Sequence, residues 1–169
     1  LVACGFEDIQ SNERFVLNIN HLRSKRGTGK ESNAKRMTNV DSLLVMLHII
    51  QENQIFHDTD ILLVGDYNCY TQEQPIQTLI QNGYEDLVMQ YDSTGYSYVY
   101  HSEAGYLDRV FASPTMAKQV KMVRPYHLNT DYFYSRGFKR GLDKTIFRYA
   151  DHDPILISIQ LVPNHIHHD

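Results

Sequence analysis

One run of eight residues constrains the fold of this chain more than any other stretch. Residues 61–68 read ILLVGDYN. Large apolar residues in succession predict a strand buried on both faces, because a half-buried strand alternates. Side chains two positions apart on an extended chain point the same way, so Asp66 and Asn68 are expected on one face. An acid and an amide at the end of a buried strand are typical of a functional edge of an α/β sheet. An Asp/Asn-rich turn is the alternative.

Length and composition indicate one ordinary globular domain. The chain has 169 residues, 42% of them hydrophobic and 21% charged. Its net charge of −4 creates no global basic field for nucleic acid, although enzymes acting on phosphates use local charge and metals instead. No apolar run reaches the roughly 18 residues that would span a bilayer. Cys4 and Cys69 allow one disulfide at most, and the sequence does not decide whether it forms.

A second strand and a long helix are predicted before residue 61. Residues 15–21 are largely apolar until they reach Asn20 and His21, and a basic, glycine-bearing loop follows. That loop is either a solvated turn or a phosphate contact. Residues 31–54 carry apolar residues at spacings of three and four, which indicates a helix with Lys35 and Arg36 on its exposed side. A helix between two strands allows them to lie parallel.

The next predicted elements surround one unusual carboxylate. A short helix is expected from Pro75 to near Gly83, and residues 97–100 and 106–111 are expected to form a hairpin that turns at 104–105. Asp108 lies inside the second of these strands. A carboxylate there is costly unless it is paired or binds metal, so Asp108 is a candidate site residue. The alternative is an edge strand with Asp108 facing water.

The last part of the chain is predicted to be irregular until a final strand. Residues 114–150 mix prolines, tyrosines at 132–134 and several basic residues, a composition that could stack bases or pack on itself. Asp151 and His152 then precede an apolar strand at 155–159. An aspartate followed by a histidine can serve as an orienting group and a general acid or base.

The candidate residues share a position at or near strand ends, and their chemistry is coherent. Carboxylates with an amide suit Mg²⁺, which takes oxygen ligands. Histidines that titrate near neutrality suit proton transfer to or from a phosphate ester. The chain has no G-x-S-x-G elbow, so serine hydrolase chemistry fits less well. The set that predicts metal-assisted phosphoester hydrolysis is His21, Asp66, Asn68, Asp108, Asp151 and His152.

Four short motifs occur in a recognisable order. They are NHLRSK at 20–25, GDYN at 65–68, YLDR at 106–109 and DHDP at 151–154. Together they resemble the endonuclease/exonuclease/phosphatase superfamily, whose fold is that of pancreatic-type deoxyribonuclease, and above all its secreted bacterial nucleases. The resemblance implies an α/β layered β-sandwich with flanking helices. It also implies a metal-dependent phosphodiester hydrolase, foremost a nuclease on DNA or else RNA, with Mg²⁺, Mn²⁺ or Ca²⁺ as cofactor. A secreted or periplasmic bacterial location is implied as well.

The resemblance also implies a role for each residue of the first two motifs. His21 would hydrogen-bond the scissile phosphate, Asp66 would orient or deprotonate the attacking water, and Asn68 would help to hold both. The residues expected to bind substrate are Asn20, Arg23 and Lys25.

The last two motifs carry the proton transfer and the metal. By resemblance, Asp108 would lie beside the metal and the phosphate, and Asp151 would orient His152 and be a second metal ligand. His152 would be the general base or acid.

One departure from the family concerns the amino-terminal strands, which in the family carry an Asn and a metal-binding Glu. Nothing in the first residues matches them, so we expect residues 1–162 to be the C-terminal portion of such a domain, with a tail at 163–169. Association with the missing N-terminal half or with another chain would complete it. The alternatives are a lipid or inositol phosphoesterase of the same superfamily and a catalytically silent nucleic-acid-binding fragment.

Overall fold

The computed structural model describes residues 2–25, 29–52, 59–132 and 147–162. The described strands are β1 (Val2–Glu7), β2 (Arg14–His21), β3 (Ile61–Asp66), β4 (Glu85–Asp86), β5 (Tyr98–Tyr100), β6 (Glu103–Gly105), β7 (Asp108–Ala112), β8 (Val120–Pro125) and β9 (Ile155–Ile159). The described helices are α1 (Gly29–Glu52), α2 (Gln74–Gln81), α3 (Leu87–Tyr91) and α4 (Pro114–Gln119). The end of the basic loop at 26–28, residues 133–146 of the tyrosine-rich segment and the tail at 163–169 lie outside the described residues.

The main sheet has five strands in the order β1-β2-β3-β7-β4. β2 and β3 are parallel, and the other neighbours in this sheet are antiparallel. The crossover between β2 and β3 contains α1, which confirms the predicted parallel pair. The smaller sheets pair β5 with β6 and β8 with β9.

β3 lies in the middle of the main sheet and is buried on both faces, as its apolar run predicts. Ile61 and Leu63 pack with α1 in one core cluster, whereas Leu62 packs in a second cluster on the opposite face. All three residues are at most 2% exposed. Two cores of this kind make a layered α/β fold and hold the carboxyl end of β3 firmly.

Helix α1 confirms the predicted helix but corrects one of its faces. Arg36 was expected on the exposed side, yet it is buried and only 4% exposed. It lies four residues before Val40, on the same stripe as the buried apolar residues. Its guanidinium donates to Ser32 Oγ at 3.0 Å and to Glu73 Oε2 at 3.5 Å. Polar partners therefore accommodate a cation on the buried stripe.

Two other predictions are wrong. β5 pairs with β6 rather than with the strand that holds Asp108, because the chain turns at His101 and Ser102, both with positive φ. β7 therefore pairs with β3 in the main sheet. The segment from residue 114 is not irregular throughout, since residues 114–125 form α4 and β8.

Gly65 allows β2 and β3 to approach closely at their shared end. Its φ is +135°, and an added Cβ would overlap the carbonyl oxygen of Asn20 and lie 2.8 Å from its carbonyl carbon. Gly65 therefore fixes the register that places His21 opposite Asp66. Elsewhere Cys4 is a free, exposed thiol and Cys69 a free, buried one. None of the described helices is long and apolar enough to cross a bilayer.

Candidate active site

Three candidate residues lie side by side across neighbouring strands. The β2–β3 register pairs His21 with Asp66, and the β3–β7 register pairs Asp66 with Asp108. His21 Nε2 lies 3.5 Å from Asp66 Oδ2, and its side chain is 77% exposed. Asp66 is more enclosed, at 19% exposed. The sheet register therefore brings an accessible imidazole next to a half-buried carboxylate.

Asn68 is fixed against Asp66 by an Asp/Asn turn, which was the alternative to a strand running through both residues. Its backbone N–H donates to Asp66 Oδ1 at 2.8 Å and its Nδ2 donates to Asp66 Oδ2 at 2.9 Å. Nδ2 also donates to the carbonyl oxygen of Leu22 at 3.1 Å. Asn68 has a φ of 50°, a conformation that asparagine tolerates better than most residues and that often occurs at functional sites. The amide thus holds the carboxylate in one orientation.

Asp108 holds the second histidine. Asp108 Oδ2 lies 2.8 Å from His152 Nδ1 and accepts a hydrogen bond from Ser97 Oγ at 2.6 Å. Because a carboxylate oxygen accepts, the hydrogen bond assigns the proton to Nδ1 of His152. Asp151 was predicted to orient His152, but the carboxylate that holds the His152 ring in the structure is that of Asp108. Asp151 itself is exposed.

Residues that the sequence reasoning missed surround His152. Tyr98 forms an isolated bridge with His152, and the two ring centroids are 4.5 Å apart. Asn129 Nδ2 donates to the carbonyl oxygen of His152 at 2.7 Å. Buried Asp153 accepts from the backbone N–H groups of residues 128–130 and from the Thr130 hydroxyl. Asp153 stands in the DHDP motif, which was the available signal for this anchor of the loop that supports His152.

The local environment shifts the pKa of two of these groups. Burial raises the pKa of Asp66, the charge of Asp108 adds to that effect, and the N–H of Asn68 opposes it. Burial lowers the pKa of His152, but the hydrogen bond and charge of Asp108, with the other cleft carboxylates, outweigh it and raise the pKa overall. Asp66 is therefore a stronger proton acceptor than an ordinary aspartate, and His152 holds its proton to higher pH.

Within the described residues, one cluster has the composition of a metal site: Asp66, Asp108 and His152. One ligating atom from each lies within 4.8 Å of the others. The two carboxylates are oxygen ligands that a divalent cation can take, and the imidazole lies beside them. Asp108 was a predicted ligand and is in the cluster. Asp151, the other predicted ligand, is not, and Asp66 is present instead.

The cluster opens into a cleft of about 790 Å³. Of the three residues predicted to bind substrate, Lys25 lines this cleft. Asn20 does not fit its predicted role, because it is 2% exposed and donates to Asn18 Oδ1 at 2.6 Å and to the Tyr67 hydroxyl at 2.9 Å. It neighbours His21 on the strand and so points to the opposite face. Arg23 is exposed and is not among the residues that line the cleft, which are His21, Ser24, Lys25, Asp66, Asn68, Tyr70, Tyr98, Tyr100, Leu107, Asp151 and His152.

Sequence comparison finds no matching protein family and no matching curated protein. Structure comparison does find matches, and they include proteins named as endonuclease/exonuclease/phosphatase family members. The chain therefore has the mixed α/β fold of that group, at low sequence identity.

Three solved structures illustrate the likeness. An endonuclease/exonuclease/phosphatase family protein from Bacteroides thetaiotaomicron is 17% identical, with a TM-score of 0.63 over 99% of this chain and 56% of the other. An AP endonuclease from Archaeoglobus fulgidus is 10% identical, with a TM-score of 0.63 over 87% of this chain and 62% of the other. A mannosyl-6-phosphatase from Bacteroides thetaiotaomicron is 17% identical, with a TM-score of 0.62 over 93% of this chain and 55% of the other. The chain thus spans about 55–62% of the length of these structures.

Proposed function

We propose that this chain carries the reacting site of a metal-dependent phosphodiester hydrolase that acts as a nuclease, with DNA as its foremost substrate. One observation carries the proposal: ligating atoms of Asp66, Asp108 and His152 converge within 4.8 Å, next to a cleft that Asp66 and His152 line together with His21. Proteins with this fold include an AP endonuclease and a mannosyl-6-phosphatase. Both named activities hydrolyse phosphate esters, which supports the same class of reaction for this chain.

Each residue has a step that suits its surroundings. Asp66, whose pKa is raised, accepts a proton from the water that attacks phosphorus. The bond between phosphorus and the leaving oxygen breaks, and that oxygen takes a proton from His152, which Asp108 orients. Exposed His21 donates a hydrogen bond to a phosphoryl oxygen, where charge develops. Asp66 and Asp108 would hold a divalent cation, which when bound neutralises phosphate charge.

A panel of substrates tests the proposal and separates its alternatives. The complete product of the reading frame is incubated with supercoiled plasmid, RNA, mannose 6-phosphate, and vesicles of sphingomyelin or phosphoinositides. Each reaction contains Mg²⁺, Mn²⁺ or excess EDTA, and His152→Gln serves as the control for contaminating nuclease. We expect DNA cleavage that requires metal and is lost in His152→Gln. Hydrolysis of lipid or sugar phosphate with intact nucleic acid would replace the nuclease proposal. DNA binding without product, unchanged in His152→Gln, would indicate a silent binding fragment.

The proposed location follows from the resemblance to secreted bacterial nucleases and is secreted or periplasmic. Activity recovered in the culture medium or the periplasmic fraction of the native bacterium is the expected result. Recovery in the cytoplasm alone would contradict it.

A further inference from the structure

Glu73, at the start of α2, directs its side chain away from its own helix. It is the N-cap residue, yet its side chain makes no capping hydrogen bond. Oε1 instead accepts from the backbone N–H of Tyr70 at 2.8 Å and from Lys25 Nζ, and Oε2 accepts from Arg36 Nη2 at 3.5 Å. Arg36 is buried, so its ion pair anchors the Glu73 carboxylate to the protein interior.

This arrangement fixes the position of Lys25 on the cleft wall. Lys25 Nζ lies 4.1 Å from the centroid of the Tyr70 ring and pairs with Glu73. A ring face and a carboxylate together restrict an otherwise flexible ammonium group. Lys25 and Tyr70 each stand four residues after His21 and Asp66, in the two segments that follow β2 and β3 at the same sheet edge. Lys25 lines the same cleft as Asp66 and His152.

Lys25 supplies the positive charge on this part of the cleft wall. Its carboxylate partner Glu73 is shared with buried Arg36, so Glu73 does not neutralise Lys25 alone. Among the described residues that line the cleft, Lys25 is the only lysine or arginine, whereas Asp66 and Asp151 bring negative charge. Its pair with Glu73 is partly exposed, at 39% and 27%, so an incoming phosphate can compete for the ammonium group.

We propose that Lys25, held by Glu73 over Tyr70, binds the phosphate next to the one that is hydrolysed. The inference rests on the proposed function and deepens it: the nuclease contacts a phosphodiester next to the one that it cleaves, so it prefers substrates in which that neighbouring linkage is charged. Lysine binds phosphate as a point charge, which suits a site that must accept successive phosphates of any sequence. Glu73 keeps its contact with Arg36 when the ammonium group turns to the phosphate, so it is a positioning residue for Lys25.

The test removes one charge from the substrate and one from the protein. The substrates are trithymidylates with two phosphodiesters, or with one phosphodiester and one uncharged methylphosphonate on either side. With the complete protein and Mn²⁺, we expect one of the two methylphosphonates to lower kcat/KM for the remaining phosphodiester roughly tenfold, the factor for one charge-assisted hydrogen bond. The loss should appear in KM, because the contact is equal in the ground and transition states.

Protein variants, combined with the charged and uncharged substrates, complete a double-mutant cycle. Lys25→Met should lose the same factor on the fully charged substrate and should no longer respond to the methylphosphonate. Glu73→Gln should weaken the response to the methylphosphonate without abolishing it. Lys35→Met is the matched control, because Lys35 is exposed, pairs with Glu31 and is not among the residues that line the cleft.

The outcomes separate the two proposals. If Lys25→Met lowers kcat/KM equally whether the linkage next to the cleaved phosphodiester is charged or uncharged, the phosphate subsite is overturned and Lys25 is a structural residue. Equal cleavage of every substrate by the wild type would overturn it as well. Failure of the wild type to cleave the unmodified trithymidylate, together with failure on plasmid, would instead overturn the proposed nuclease function, and the inference with it.

Discussion

Replacing Asp108 with asparagine tests how His152 is held. The substitution keeps the size of the side chain but removes its charge, next to a hydrogen bond of 2.8 Å between Oδ2 and His152 Nδ1. Both side chains are largely enclosed, at 18% and 24% exposed, so water screens the interaction weakly. A hydrogen bond to a charged group contributes about 1.5–3 kcal/mol. At about 1.4 kcal/mol per factor of ten, this predicts a loss of roughly 10- to 150-fold in kcat/KM.

The same substitution should change the titration of His152 in a defined direction. Burial lowers the pKa of His152 and Asp108 raises it, so the loss of the carboxylate must lower the pKa. The limb of the pH–rate profile that reports His152 therefore moves to lower pH. Histidine NMR titration of the EDTA-treated protein measures the shift directly and without metal. Hydrolysis of bis-p-nitrophenyl phosphate at saturating Mn²⁺ measures the rate.

Asp151→Asn is the matched control, because this carboxylate is the sequence neighbour of His152 and is exposed. We expect it to shift the His152 pKa in the same direction but less than Asp108→Asn does, since Asp151 is the weaker of the two influences. The reasoning is refuted if Asp108→Asn leaves the pKa of His152 unchanged. A larger effect of Asp151→Asn on pKa and rate would refute it too.

Three further predictions concern stability. Gly65→Ala should lower the free energy of unfolding by about 2–5 kcal/mol in urea titration, because it combines an unfavourable φ with backbone overlap. Gly83→Ala, with a φ of +89° and open space around it, should cost only about 1–3 kcal/mol. Arg109→Met should cost about 3–5 kcal/mol by the same titration, because it leaves Asp86 buried without its partner at 2.9 Å. The pKa of Asp153 is lowered despite burial, by its hydrogen-bond donors, so its stabilisation is complete above pH 3.8 and is lost as pH falls through the lower folded value. The stability gap between wild type and Asp153→Asn should therefore shrink in acid, as measured by thermal unfolding between pH 2 and about 6.

Each stability prediction has an outcome that contradicts it. Equal costs for the two glycine substitutions would show that backbone overlap at Gly65 is unimportant. Removing both Asp86 and Arg109 should cost less than removing Arg109 alone, and a larger cost would show that the orphaned carboxylate is not the cause. A stability gap for Asp153→Asn that stays constant into acid would show that its charge contributes nothing.

The sequence predicted the first half of the site because local patterns determine it. The apolar run of β3 required burial on both faces. Asp66 and Asn68 do meet, at 2.9 Å, but through the Asp/Asn turn that was the alternative, because Asn68 lies beyond the end of β3 with a φ of 50°. The helical pattern between two strands predicted a parallel pair, and this pair brings His21 beside Asp66. These conclusions needed only periodicity and strand geometry.

The second half depends on pairings that no local pattern reports. Asp108 meets His152 because β7 joins β3 and because Tyr98 bridges to His152, and both contacts are remote in sequence. The turn that pairs β5 with β6 uses His101 and Ser102 at positive φ, where glycine, asparagine or aspartate would have given a signal. Sequence adjacency instead suggested Asp151 as the group that orients His152, whereas Nδ1 donates its hydrogen bond to Asp108, 44 residues earlier in the chain.

The burial of a charged side chain was the other feature that the sequence did not predict. Arg36 lies on the apolar stripe of α1, and its spacing from Val40 was a usable signal, but charge alone suggested exposure. Its partner Glu73 is distant in sequence, so the compensation that allows a buried arginine was not visible.

Nicking of supercoiled plasmid by the complete protein, with Mn²⁺ and with EDTA, tests the central claim most directly. We expect the wild type to nick the plasmid with Mn²⁺ and not with EDTA. We expect His152→Gln and Asp66→Asn to nick it under neither condition. Equal nicking by wild type and His152→Gln, or nicking that survives EDTA, would contradict the assignment of this cluster as the reacting site. No nicking under any condition would contradict the nuclease itself.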